Sequence, residues 1–245
     1  MLNANGLEFR NEQGIFPIVV FQKNFKKFKS IGTAFFINGL GVFVTAKHVL
    51  DNELCHTNMI FVMQNLSDHR SVNRIITNLC IHPTADIVVG LVGEALDPLT
   101  AKIVPHEIAP NCRLSFKPME NGTELMGFGY PKANEISNDN LTTFEFRGRW
   151  AKGVIYDYLP DGFARLKNKC YQTDMLIDSG CSGGPVFKDG WVVGINSTSF
   201  EVPSNDTPIS FITPVNYLLD LQIPFDNRLV PIKEMANTGT IIVEY

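Results

Sequence analysis

Short apolar or alternating runs separated by turn residues dominate this chain. Such spacing is the signature of an all-β chain. The first runs are Phe16–Gln22, Ile31–Ile37, Val42–Thr45, Met59–Met63 and Ile87–Val92. Asn38-Gly39 separates two of them and reads as a tight hairpin, since both residues tolerate positive φ. Pro98, Pro105, Pro110 and Pro118 then interrupt any long element. The runs resume at Glu124–Tyr130, Thr142–Trp150, Gly153–Tyr158, Gly184–Phe187, Trp191–Asn196 and Ile209–Pro214. A short helix is expected at Val215–Leu221, and Thr238–Tyr245 can add a strand to a sheet edge. At 245 residues and 44% hydrophobic, the chain is long for one simple domain. It divides into residues 1–108, a linker at 109–123, and residues 124–245.

Chemistry concentrates in three segments. Gly180-Cys181-Ser182-Gly183-Gly184-Pro185 lies between apolar runs and reads as a nucleophile turn. A serine hydroxyl is a weak nucleophile until a neighbouring base takes its proton. It also needs backbone N–H donors aimed at the oxygen that becomes negative. The amides of Gly180 and Ser182 are the candidates, since a glycine two residues upstream lets the peptide fold back without a Cβ clash. The base candidate is His48, delivered by the apolar run Gly41–Thr45, and the orienting carboxylate is Asp86, at the entrance of Ile87–Val92. A buried aspartate bonded to the imidazole Nδ1–H is both paired and able to fix the tautomer. His56, His69, His82 and His106 are weaker rivals to His48, and Asp68 is the alternative to Asp86. The chain order His, Asp, Ser is the chymotrypsin-like one.

These residues carry a family resemblance. Thr45-Ala46-Lys47-His48-Val49 resembles the histidine motif of trypsin-like peptidases, and Thr173–Val186 resembles the serine motif of their HtrA-type branch. Trp191–Ser197 and Pro208–Val215 are similar to that branch's last two barrel strands, so the likeness runs from Ile31 to Leu221. It implies an all-β, chymotrypsin-like fold of two six-stranded antiparallel β-barrels with a short C-terminal helix. It also implies peptide-bond hydrolysis without a cofactor or metal. By the same resemblance Leu176, six residues before the serine, floors the primary specificity pocket, and Ile195, Asn196 and Ser197 lie along the substrate. An apolar floor leaves a cationic side chain desolvated and unpaired, so small or medium apolar residues are expected at the cleaved position. Asp178 is expected on the rim. Where the HtrA branch has asparagine or aspartate before the serine, this chain has Cys181, expected behind the turn rather than as nucleophile.

Composition narrows the partners. A net charge of −4 argues against nucleic acid, which selects a basic face. No apolar run is long enough to span a membrane, and no secretory leader is visible at Met1–Gly6. Five cysteines cannot all pair and lack metal-ligand spacing, which suits reduced thiols and a cytoplasmic location. The basic run Lys23–Lys29 reads as a solvated hairpin guarding a strand edge. The expected function is a serine endopeptidase acting on protein or peptide substrates. A regulatory protein partner is also expected, because Cys181 cannot form the ion pair of zymogen activation and a free intracellular protease must be restrained. A catalytically silent binding or scaffold module and an esterase remain the alternatives.

Overall fold

Twelve strands close into two six-stranded antiparallel barrels in the computed structural model. It describes residues 11–22, 27–54, 59–66, 71–96, 102–104, 111–131, 134–138, 141–200, 208–225 and 227–245. The first barrel contains β1 (Ile15–Gln22), β2 (Lys27–Phe36), β3 (Val42–Thr45), β4 (Met59–Asn65), β5 (Ser71–Ile81) and β6 (Val88–Val92). Their order is β1-β2-β3-β6-β5-β4, and β4 returns to β1 through pairs from Ile18↔Val62 to Phe21↔Met59. The second barrel contains β7 (Glu124–Gly129), β8 (Arg149–Leu159), β9 (Cys170–Thr173), β10 (Pro185–Lys188), β11 (Trp191–Phe200) and β12 (Ile209–Pro214). Here β10-β7-β8-β9-β12-β11 closes by β10–β11 pairing, with Pro185 opposite Ile195.

Both interiors follow from the apolar runs. Phe16, Phe35, Phe36, Phe43 and Val44 are fully buried in the first barrel, with the Phe16 and Phe36 rings 4.4 Å apart. Gly90 leaves room for the Phe43 ring, which a Cβ there would overlap. Leu125, Ile155, Met175, Val186 and Ile212 form the core of the second barrel.

Several elements differ from the sequence expectation. Strand β5 is additional, and so is β9. Arg74 explains the first: it is completely buried in β5, donating from Nε to Gln64 Oε1 at 2.8 Å and from Nη1 to the Val104 carbonyl at 3.0 Å. A run that places arginine inside does not read as a half-buried strand. The expected strands Thr142–Trp150 and Gly153–Tyr158 are instead the hairpin Asn134–Asn138/Leu141–Glu145 and the continuous β8. The β2–β3 turn works differently from a paired positive-φ dipeptide. The left-handed residue is Gly41 (φ +87°), while Asn38 acts through its side chain, Oδ1 accepting from the Leu40 and Val42 amides at 3.0 Å each.

The helix after β12 is a 3₁₀ helix, Val215–Asp220, followed by an α-helix at Ile232–Asn237. Val243–Glu244 does add a strand: it pairs in parallel with Leu114–Ser115, which pairs with Val192 of β11. Residues Lys23–Lys26 of the basic run, together with Cys55, His56, Asp68, His69 and His106, lie outside the described residues.

Candidate active site

β3 ends at Thr45, and His48 follows in the first turn of the helix Lys47–Leu54. Its imidazole meets the Asp86 carboxylate, with Nδ1 at 2.9 Å from Oδ2 and 3.0 Å from Oδ1. Oδ1 also accepts the His48 backbone N–H at 3.0 Å. An ionised carboxylate is acceptor-only, so Nδ1 carries the hydrogen and Nε2 is left as the basic nitrogen. The Asp86 side chain is 13% exposed and that of His48 is 46% exposed, a sheltered orienter beside an accessible base.

Asp86 is itself held from both sides. His82 is buried, and its Nδ1 accepts the amides of Ala85 (2.8 Å) and Thr84 (3.2 Å), shaping the turn that ends in Asp86. Nδ1 of His82 is thereby committed to the turn. From the second barrel, Asn168 Oδ1 accepts the Asp86 N–H at 3.0 Å, while Asn168 Nδ2 donates to Thr213 Oγ1 at 3.1 Å.

Two tight turns that share Cys181 present Ser182. The Cys181 N–H reaches the Asp178 carbonyl, and the Gly184 N–H reaches the Cys181 carbonyl, each at 3.0 Å. The third residue of each turn has positive φ, Gly180 at +100° and Gly183 at +82°, which glycine alone adopts without strain. A Cβ on Gly183 would run into Thr45 Oγ1 and the Thr33 carbonyl, so this glycine also allows the barrels to meet. Among the described residues none takes up the amide hydrogens of Gly180 or Ser182. The Ser182 hydroxyl donates to the Ser197 carbonyl at 3.4 Å, and no hydrogen bond joins it to His48.

Thr33 is a contributor that the motifs do not contain. Fully buried on β2, it donates from its N–H to the Ser182 carbonyl (2.9 Å) and from Oγ1 to the Gly180 carbonyl (2.8 Å). Oγ1 accepts the Tyr130 N–H at 2.9 Å, and the Thr33 carbonyl accepts Thr45 Oγ1 at 2.8 Å. One residue of the first barrel thus holds both carbonyls that flank the candidate oxyanion amides. A lone polar residue inside the apolar run Ile31–Ile37 was the available sequence signal.

The other candidates take distinct places. Ile195 is fully buried in β11. Asn196 is buried too and serves the turn: its carbonyl accepts the Gly183 N–H at 2.7 Å, and Nδ2 donates to the Cys181 and Phe128 carbonyls at 3.3 and 3.4 Å. Ser197 is the one of the three whose carbonyl reaches Ser182. Leu176 is 43% exposed between buried Met175 and Ile177, and Ser199 Oγ donates to the Ile177 carbonyl at 2.8 Å. Asp178 pairs with Arg149 at 2.5 Å. Cys181 is buried, and its thiol is pushed up to about 12, chiefly by desolvation and then by the Asp178 charge. Such a thiol stays protonated at neutral pH and is a poor nucleophile.

The sequence matches the family model described as Trypsin over residues 8–221. The chain belongs to the trypsin family. Among solved structures, trypsin-family proteases of the HtrA and Deg type share its fold. Deg5 is 17% identical at a TM-score of 0.58, covering 86% of this chain and 87% of its own. The HtrA-type protease AlgW, solved with a tripeptide, is 19% identical at 0.58, covering 94% of this chain and 62% of its own. The Rv3671c protease from M. tuberculosis in its active form is 17% identical at 0.54, covering 84% and 78%. No curated protein sequence matches this trypsin-family chain.

Proposed function

We propose that the protein is a serine endopeptidase acting through His48, Asp86 and Ser182. The observation that carries this reading is the close contact of His48 Nδ1 with Asp86, beside a turn whose Gly180 and Ser182 amides are open. Ser182 Oγ attacks the scissile carbonyl, and His48 Nε2 takes its proton and later returns it to the leaving amine. Asp86 holds the tautomer and stabilises the imidazolium, while the two amides bind the oxyanion. Substrate lies along β11 as an added strand, its backbone meeting the Ser197 carbonyl, with Ile195 and Asn196 as the buried support beneath it. Leu176, an exposed apolar side chain six residues before the nucleophile, favours small or medium apolar side chains at the cleaved position.

A fluorophosphonate probe tests the nucleophile. Wild type and Cys181→Ala are expected to label, and Ser182→Ala is not. Labelling that survives Ser182→Ala overturns the assignment. One observation favours a second reading, a latent or silent module: the Ser182 hydroxyl rests on the Ser197 carbonyl rather than on His48. Catalytic hydrogen bonds are often long in the free enzyme and tighten with substrate, so hydrolysis is the preferred reading. Complete absence of labelling in wild type favours the second.

A further inference from the structure

Beside His48 and Asp86 opens a cleft of 710 Å³ whose other wall belongs to the second barrel. Lys47, Arg165 and Lys167 line it, against the carboxylates of Asp51 and Asp86, neither of which is free, Asp86 being engaged by His48. None of the three cations has a carboxylate partner among the described residues. A cation-rich wall is unexpected in a chain of net charge −4.

The segment carrying Arg165 and Lys167 is anchored, not trailing. Phe163 and Leu166 exchange both backbone hydrogen bonds (2.8 and 2.9 Å), closing a tight turn in which Ala164 takes φ +50°. A non-glycine residue in that region is uncommon and persists where its surroundings impose it. The Phe163 ring stacks on Phe211 with centroids 4.9 Å apart. Exposure then alternates: Arg165 and Lys167 are exposed, while Leu166 and Asn168 are buried. Asn168 binds the Asp86 amide, so the two cations are registered against the candidate base and its orienter.

Resting on the protease reading above, we infer that this cleft selects an acidic side chain immediately before the cleaved residue. Successive side chains of an added strand point to opposite sides. A peptide whose cleaved residue packs on Leu176 turns the preceding side chain toward His48, over this cleft. A glutamate there reaches Arg165 or Lys167, and its carboxylate makes a charge-assisted hydrogen bond, stronger than one between neutral groups.

The test separates binding from turnover. Peptides that differ only at the position before the cleaved residue (Glu, Gln or Lys) are titrated against Ser182→Ala by calorimetry. The glutamate peptide is expected to bind about tenfold more tightly than the glutamine one, the lysine peptide to be weakest, and the preference to shrink in high salt. In Ser182→Ala carrying Arg165→Glu and Lys167→Glu the order inverts toward lysine. Equal affinities for Glu and Gln, or a glutamate preference that survives charge reversal, overturn the inference. Glutamate-selective binding combined with no hydrolysis of any of these peptides by wild type supports the cleft and counts against the protease reading instead.

Discussion

At the scale of single residues, the roles of Asp86 and Thr33 can be told apart kinetically. Asp86→Asn leaves a hydrogen-bonding side chain but loses the acceptor-only carboxylate that fixes the His48 tautomer. By analogy with other Ser-His-Asp sites, turnover is expected to fall about 10⁴-fold; a loss under tenfold assigns the orienting role elsewhere. Thr33 acts through the carbonyls of Gly180 and Ser182. Thr33→Val keeps the shape and the backbone N–H but removes the donor to Gly180 and the acceptor for Tyr130. A shift of the oxyanion amides is expected to lower kcat about 10- to 100-fold with KM nearly unchanged, and Thr33→Ser is expected to restore most of it. A rise in KM at constant kcat, or no rescue by serine, removes Thr33 from the positioning role. The motif residues were legible because each sits in a local apolar context that identifies it. The roles of Thr33 and Asn168 were not: the apolar run around Thr33 marks it as an unusual polar residue, but the partners of the two lie 147 and 82 residues away along the chain and local context does not name them.

At the scale of elements, the β2–β3 turn shows how a correct expectation can have another cause. Asn-Gly did mark the turn, yet the positive φ belongs to Gly41 and the asparagine contributes as an acceptor. Asn38 is buried, so Asn38→Ala leaves the Leu40 and Val42 amides without this partner. The expected cost is about 1–3 kcal/mol, measured as a lower urea midpoint at unchanged slope; a change within about 0.5 kcal/mol means that solvent replaces the side chain. Most barrel strands were readable from period-2 or continuous apolar runs. β5 was not, because Arg74 occupies an interior position and spends its charge on Gln64 and a backbone carbonyl, contacts that only the folded chain supplies. The 3₁₀ helix Val215–Asp220 was placed by its apolar residues, with Val215 and Leu218 buried three apart, a spacing that does not distinguish 3₁₀ from α.

At the scale of the whole molecule, three buried thiols tie stability to alkaline pH. Cys112 stands where the chain passes between barrels, its N–H bonded to the Phe36 carbonyl at 2.8 Å; Cys170 begins β9, and Cys181 joins the two turns at Ser182. Desolvation is the leading cause in each, pushing Cys112 and Cys181 up to about 12 and Cys170 to about 11. An unfolded thiol ionises near pH 8.5. Above that value the unfolded chain releases protons that the folded chain still holds, so its proton count is the lower one and stability falls as pH rises. The contribution is fully present below about pH 8.5 and is lost progressively until the folded thiols themselves ionise. Each thiol then costs up to about 1.4 kcal/mol per pH unit in that window. The urea midpoint is expected to drop between pH 8 and pH 10.5, and the combined Cys112→Ala, Cys170→Ala and Cys181→Ala variant, though less stable at pH 8, is expected to drop less. A variant that declines as steeply as wild type assigns the alkaline sensitivity to other groups, with Tyr156 and Tyr217, both raised, the next to replace.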